Sequence, residues 1–221
     1  IYRKLSYDPL KDFVPVTQFG AAPNVLVVHP SLPAKSVQDV IALAKKQPGK
    51  MDWASSGTGG FQHLSGALFM TMANVQTVHI SYKGSGAATA DLLGGQVKVG
   101  FPGIAIALPH HKAKRLRALG VTTAERSQQM PDVPSIAESG LKGYDAVFWM
   151  GLGVPKGTPA AIVNKLHAET VALLKAPDIV KSFERAGTDA APSSPAQYAK
   201  FLQAEYAKWG KVIREAGIKS N

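Results

Sequence analysis

Apolar residues along this chain fall into short runs that end on glycine or polar breaks, separated by stretches that repeat at helical spacing. The runs NVLVVHP (24–30), MDWASSG (51–57), QTVHISYKG (76–84), VKVGFPG (97–103) and LRALGVTT (116–123) read as strands with turns at their exits. Between them, Val37, Val40, Ile41 and Ala44 mark one face of a helix over 36–46, opened by Ser36 and Asp39 at capping-box spacing. A second helix is predicted from Phe61 to Met72, with Leu64, Leu68 and Met72 in register. A third runs from Ser85 to Leu93 and stops at Gly94 and Gly95. A short helical turn around IALPHHKAK leads into the last of the five strands. Strands alternating with short helices imply right-handed βαβ units and a mostly parallel sheet.

The texture changes after residue 150. Thr158-Pro159 and Ser194-Pro195 each set a hydroxyl before a proline at a helix start, and Gln197 completes a capping box with Ser194. The first of these helices is expected to bury Val163, Leu166, Thr170 and Leu173. The last is expected to bury Tyr198, Leu202, Trp209, Val212, Ile213 and Ala216. VFWMGLGVPKG (147–157) reads as a strand leaving one lobe and entering another. The expected organisation is therefore 1–22 as incoming crossover and first-lobe remnant, 23–149 as a complete α/β lobe, and 150–221 as return crossover and first-lobe helices. A lobe made only of 1–22 and 150–221 is short of sheet.

Composition narrows the function classes. The chain has 221 residues, 45% of them hydrophobic and 18% charged, which is globular, and no stretch nears the ~18 consecutive apolar residues of a membrane span. The absence of cysteine removes disulfides, thiolate metal sites and cysteine nucleophiles. A net charge of +10 attracts anions in general. The basic residues are scattered and lack interleaved aromatics, so nucleic acid is not the expected partner.

In such sheets ligands lie beyond the carboxyl ends of the strands, which directs attention to the glycine-rich exits. SSGTGG (55–60) can turn sharply and leave the N–H groups of the next helix start unsatisfied, a geometry that suits an anion. A plain tight turn is the competing reading. SYKGSG (81–86) has the same design, and FPG (101–103) supplies a rim. Tyr82 packed inward with Lys83 solvated fits those two side chains equally well. His63 is read either as a donor to a ligand or as a support for its loop. Gly60 is followed by Phe61 and Gln62, which excludes both the P-loop and the dinucleotide fingerprint. The six histidines show no zinc spacing, and no catalytic constellation is visible, so neither enzyme, metal nor cofactor is expected.

Six segments together carry a resemblance: YDPLKDFVPV (7–16), SSGTGGFQHLSGALF (55–69), VHISYKGSGAATADLLGGQVKVGF (78–101), LRALGVTTAERSQQMPDVPSIAESGLKGY (116–144), FWMGLGVPKGTP (148–159) and KWGKVIREAGIK (208–219). The chain resembles the periplasmic solute-binding proteins of tripartite tricarboxylate transporters, the Bug family. That resemblance implies a two-lobed periplasmic-binding-protein-like clamshell, each lobe a mostly parallel sheet flanked by helices. It also implies that this chain lacks the family's N-terminal segment, which would leave the first lobe incomplete. The implied function is capture of a small carboxylate in an interlobe cleft by a periplasmic monomer, and its delivery to the membrane permease subunits. A ligand sensor that docks on a receptor kinase is the alternative.

Carried over onto this sequence, the resemblance assigns ligand binding to Ser56, Gly57, Thr58, Gly59, Gly60, Gln62 and His63. It adds Tyr82, Lys83, Gly84 and Ser85, then Phe101, Pro102 and Gly103, with Phe148 at the crossover. Phe61, Phe101, Pro102 and Phe148 would form an apolar rim. Ser81 stands where the family has proline, and Lys114 where it has glycine, the latter implying a strained turn.

Overall fold

A computed structural model describes residues 5–219 and divides into two compact units. The first runs up to Ala22 and then takes in Phe148–Lys211; the second is Pro23–Val147 with the residues from Val212 on. The first strand, β1 (Phe13–Pro23), ends at the boundary. The second unit follows as β2 (Val25–Val28), α1 (Val37–Lys46), β3 (Asp52–Ser55), α2 (Phe61–Ala73), β4 (Val78–Ser81), α3 (Ser85–Leu93), β5 (Val99–Gly100), α4 (Ile104–Lys112) and β6 (Arg117–Val121). The chain returns through β7 (Val147–Pro155) to α5 (Ala160–Leu173), α6 (Pro177–Arg185), β8 (Asp189–Ala190) and α7 (Pro195–Glu215).

The sheet of the second unit has the order β4-β3-β5-β2-β6. β3 runs parallel to β4 and β5, while β2 is antiparallel to both β5 and β6, so β2 is the one reversed strand. The carboxyl ends of β3, β4 and β5 therefore share one edge, and each feeds a helix there. α1 follows the reversed strand and starts at the opposite edge. All four residues of β2 are fully buried, which explains why its sequence, VLVV, is continuously apolar rather than alternating. Each such side chain contributes roughly 1.5–3 kcal/mol. One face packs Val25, Val27, Leu92, Ile104 and Val121 together. The aromatic side chains of Phe69, Phe101 and Tyr144 are also fully buried, with the Phe69 ring 5.7 Å from Phe101 and 6.3 Å from Tyr144.

Helix α1 follows its sequence pattern, with Val37, Val40, Ile41 and Ala44 buried and the Asp39 N–H donating to Ser36 Oγ at 3.1 Å. The face of α2 does not. Met72 is exposed and Leu64 half-buried, whereas His63, Gly66, Ala67 and Met70 are inside. The cause is Gly66: a Cβ there would fall on the Trp53 ring, so only glycine lets this side of the helix close on the indole.

In the first unit the sheet order is β7-β1-β8, and β1 pairs with β8 antiparallel. β7 also opposes β1: Lys156 N–H donates to the Asp12 carbonyl at one end, and Gly20 lies beside Met150 towards the other. The expected mostly parallel sheet is thus corrected for this unit. β1 carries the chain out and β7 carries it back, so neighbours must run in opposite directions. In α5 Val163 is buried as expected, whereas Leu173 is exposed and the next residue, Leu174, is buried in its place at the helix end; Pro159, not Thr158, is the N-cap. In α7, Tyr198 and Val212 are buried as expected, but Ala216 is exposed. The Ser194–Gln197 box forms in both directions. The helix also buries Glu205, which accepts from the indoles of Trp149 and Trp209 and pairs with Lys208.

Lys114 closes the end of α4 with φ of 57°, at the sheet edge opposite the glycine loops. A side chain there carries a left-handed strain of roughly 1–2 kcal/mol that glycine lacks, offset in part by glycine's larger unfolded-state entropy. Lys114→Gly should therefore raise stability by about 0.5–1 kcal/mol, read as a Tm gain of about 2–4 °C per kcal/mol, and Lys114→Ala should give no gain.

Candidate functional site

The exit of β3 is a loop shaped by two positive-φ glycines, Gly57 at 148° and Gly59 at 79°, ending on Gly60 as the cap of α2. Much of the loop is engaged internally. Gly60 N–H donates to the Gly57 carbonyl (3.2 Å), Gly57 N–H to Ser55 Oγ (3.2 Å), Ser56 N–H to Gln62 Oε1 (3.0 Å) and Gly59 N–H to His63 Nδ1 (2.9 Å). Gln62 and His63, in the first turn of α2, thus reach back and fix the loop that precedes them. Their own N–H groups have no intrahelical acceptor, as at any helix start.

The exit of β4 is laced onto this loop. Tyr82 N–H donates to the Ser55 carbonyl and Gly84 N–H to the Ser56 carbonyl, each at 3.0 Å. Gln62 Nε2 donates to Ser85 Oγ (3.2 Å), and Thr58 Oγ1 to Ser81 Oγ (3.1 Å). Gly84, with φ of 107°, caps α3, and Gly103 caps α4 after β5. None of the three glycine caps carries a side-chain cap bond, whereas α1, at the other edge, is capped by Ser36. No cap side chain closes the three helix starts at this edge, although at α4 the Ile106 N–H turns back to the Gly103 carbonyl (2.9 Å). Each dipole favours an anion by about 0.3–1 kcal/mol. Each N–H bond to a carboxylate adds roughly 1.5–3 kcal/mol.

The model of the tripartite tricarboxylate transporter family receptor matches residues 1–218. The chain belongs to this receptor family. It is 34% identical to BugT of Bordetella pertussis over 97% of its own length and 66% of the relative's, so it spans just under two-thirds of that protein. Among solved structures it is similar to Rpa4515 of R. palustris with adipate, at 36% identity and a TM-score of 0.83, covering 99% of this chain and 73% of that one. It is also similar to MatC of Rhodopseudomonas palustris with bound malate, at 28% identity and a TM-score of 0.80, covering 96% and 73%. The fold of this receptor is the two-lobed α/β architecture of those periplasmic binding proteins.

Within the receptor the structure brings Ser56–His63 and Tyr82–Ser85 together at one sheet edge through the bonds above. It does not deliver the expected apolar rim. The Phe101 ring is fully buried, with its centroid 5.9 Å from Trp53, and Pro102 is buried with its carbonyl accepting from Val25 N–H. β5 lies inside the sheet, so its exit turns those side chains into the core; Gly103 main chain is what remains at the helix start. Phe148 is exposed and belongs to the first unit. Tyr82 takes the packed reading: its hydroxyl donates to Asp91 Oδ2 at 2.7 Å, and burial with that bond pushes its pKa up to about 12. Lys83 is exposed. His63 takes the supporting role, its ring stacked on His79.

Sequence reasoning missed His79, whose Nε2 lies 2.6 Å from Ser55 Oγ, and Asn24, buried beside Gly103 with its side chain donating to Ser65. The alternation in VHIS would have put His79 on one face of β4, but nothing in the spacing pairs it with His63 across two elements. Among the described residues no group of three or more His, Asp or Glu is placed to hold a metal ion.

Tyr82→Phe separates a packing role from a binding one. It should cost about 1 kcal/mol from the lost Asp91 bond, a fall of about 2–4 °C in Tm, and leave carboxylate affinity unchanged in an isothermal titration.

Proposed function

We propose that the chain is the solute-binding part of a periplasmic receptor that takes a small carboxylate on main-chain N–H groups. The groups proposed to hold it are the main-chain N–H groups of Thr58, Gln62 and Ser85 at the exits of β3 and β4, those of Ser56, Gly57, Gly59, Gly60 and Gly84 being taken up within the loops. The receptor then hands the solute to membrane permease subunits and catalyses no reaction. The observation that carries this reading is the set of bare glycine caps on α2, α3 and α4 at one edge of the sheet. A carboxylate has acceptor oxygens only, and uncapped N–H groups are the complementary donors. The relatives solved with adipate and malate favour an aliphatic dicarboxylate. The net charge of +10 raises the encounter rate with such anions. Among the described residues no helix is long and apolar enough to cross a membrane.

Thermal shifts against adipate, malate, succinate, citrate, glutamate, nicotinate and benzoate, with NAD and AMP as controls, test the reading. At a hundred times its dissociation constant a ligand adds about 2.7 kcal/mol, equivalent to several degrees at this chain length. The expected outcome is a shift from an aliphatic dicarboxylate and none from the controls. Thr58→Trp should abolish that shift without lowering the Tm of the free protein. A shift retained in that variant would sink the assignment of the loop.

A further inference from the structure

The two histidines behind the glycine loop lie nearly parallel, with ring centroids 3.7 Å apart and 9° between planes. Each holds the loop at a different point. His63 Nδ1 accepts the Gly59 N–H at 2.9 Å. His79 Nε2 lies 2.6 Å from Ser55 Oγ, and that hydroxyl accepts the Gly57 N–H at 3.2 Å. Trp53 packs against both rings, at 4.5 Å from His79 and 5.6 Å from His63. The pair and Trp53 also line a hollow of about 460 Å³ shared with Thr71, Asn74, Gln76 and Thr77. Glu215 of α7 is the charged group facing them there among the described residues; α2, β3, β4 and the 74–77 turn contribute neutral side chains to it.

We propose that this stacked pair is a pH-sensitive support of the solute loop, in which His63 and His79 act as positioning residues and His63 holds Gly59 only while neutral. The functional meaning rests on the reading of that loop as the solute's seat. The chemistry follows from the inventory of an imidazole. The neutral ring has one acceptor nitrogen, and at His63 that nitrogen is spent on Gly59, which fixes the proton on Nε2. An imidazolium has two donors and no acceptor. Protonated His63 would point an N–H at the Gly59 N–H, so attraction becomes repulsion. A second proton would place two cations face to face.

Burial lowers the His63 pKa to about 4, with the charge on His79 adding to it, and burial also lowers that of His79. Below the ordinary histidine value the unfolded chain therefore binds more protons than the folded one. Stability from the pair is complete above about pH 6.5 and is lost as pH falls towards about 4. The loop lets go at the lower end of that window.

Nitrogen-15 NMR of the free protein, titrated from neutral to acidic pH, tests the support without any solute. The expected result is an Nε2-protonated His63 at neutral pH. The exchange protection of the Gly59 amide should then fall about tenfold, the equivalent of one lost hydrogen bond, with the midpoint of the His63 titration. His63→Asn, whose amide oxygen can take the Gly59 N–H without titrating, should hold that protection flat. If the variant does not fold, the wild-type titration decides alone. Unchanged Gly59 protection while His63 titrates in the wild type overturns the proposal. Adipate serves as probe for the solute: its affinity in the wild type, divided by that in His63→Asn, should fall with the same midpoint. Absence of adipate binding at every pH counts against the solute reading, while the amide measurement still decides the support.

Discussion

A helix start leaves N–H groups that something must satisfy, and a glycine cap has no side chain with which to do so. In the second unit that condition holds at α2, α3 and α4, all fed by strands whose carboxyl ends share one edge. The reversal of β2 sends α1 to the other edge, where Ser36 supplies an ordinary cap. One topological fact, a single reversed strand, thus sorts the helices into those finished internally and those left open. The open ones are complementary to a ligand with acceptor oxygens.

Bare donors are useful only if the chain that carries them keeps its shape, and glycine is the residue least able to keep one. The structure answers with side chains from the following elements. Gln62 spans from Ser56 N–H to Ser85 Oγ, so one amide group links the starts of two helices. His63 secures Gly59, and Ser55 secures Gly57 with His79 behind it. Ser81 gives Thr58 Oγ1 an acceptor, adding a link between the two exits. Of the groups expected to contact a ligand, Gln62 and His63 thus have their side chains committed to the loops.

Much of this was legible in the chain because local rules suffice for it. The Ser36 cap, the stop at Gly94 and Gly95, and the positions of the glycine exits follow from steric and hydrogen-bonding constraints within a few residues. The failures share a cause of the opposite kind. The face of α2 is set by Trp53, thirteen residues before Gly66, and no period in the helix encodes it. Phe101 looks like a rim residue from its place after a strand, yet β5 is interior and its exit points into the aromatic core. His79 is an unremarkable strand residue until β4 pairs with β3 in the register Trp53↔His79, which brings it beside the loop.

That register joins the core to the site. Trp53 sits between them: Gly66 is open to admit its indole, Phe101 meets its edge at 5.9 Å, and the histidines pack against its other contacts. Filling the space at Gly66 with any Cβ would move α2 off the indole, and α2 carries Gln62 and His63. The displacement would reach Ser56 and Gly59 through two hydrogen bonds. Interiors packed this closely transmit strain rather than absorb it. The donors at the helix starts are therefore held in place by a glycine one turn below them, whose contribution is the side chain it does not have.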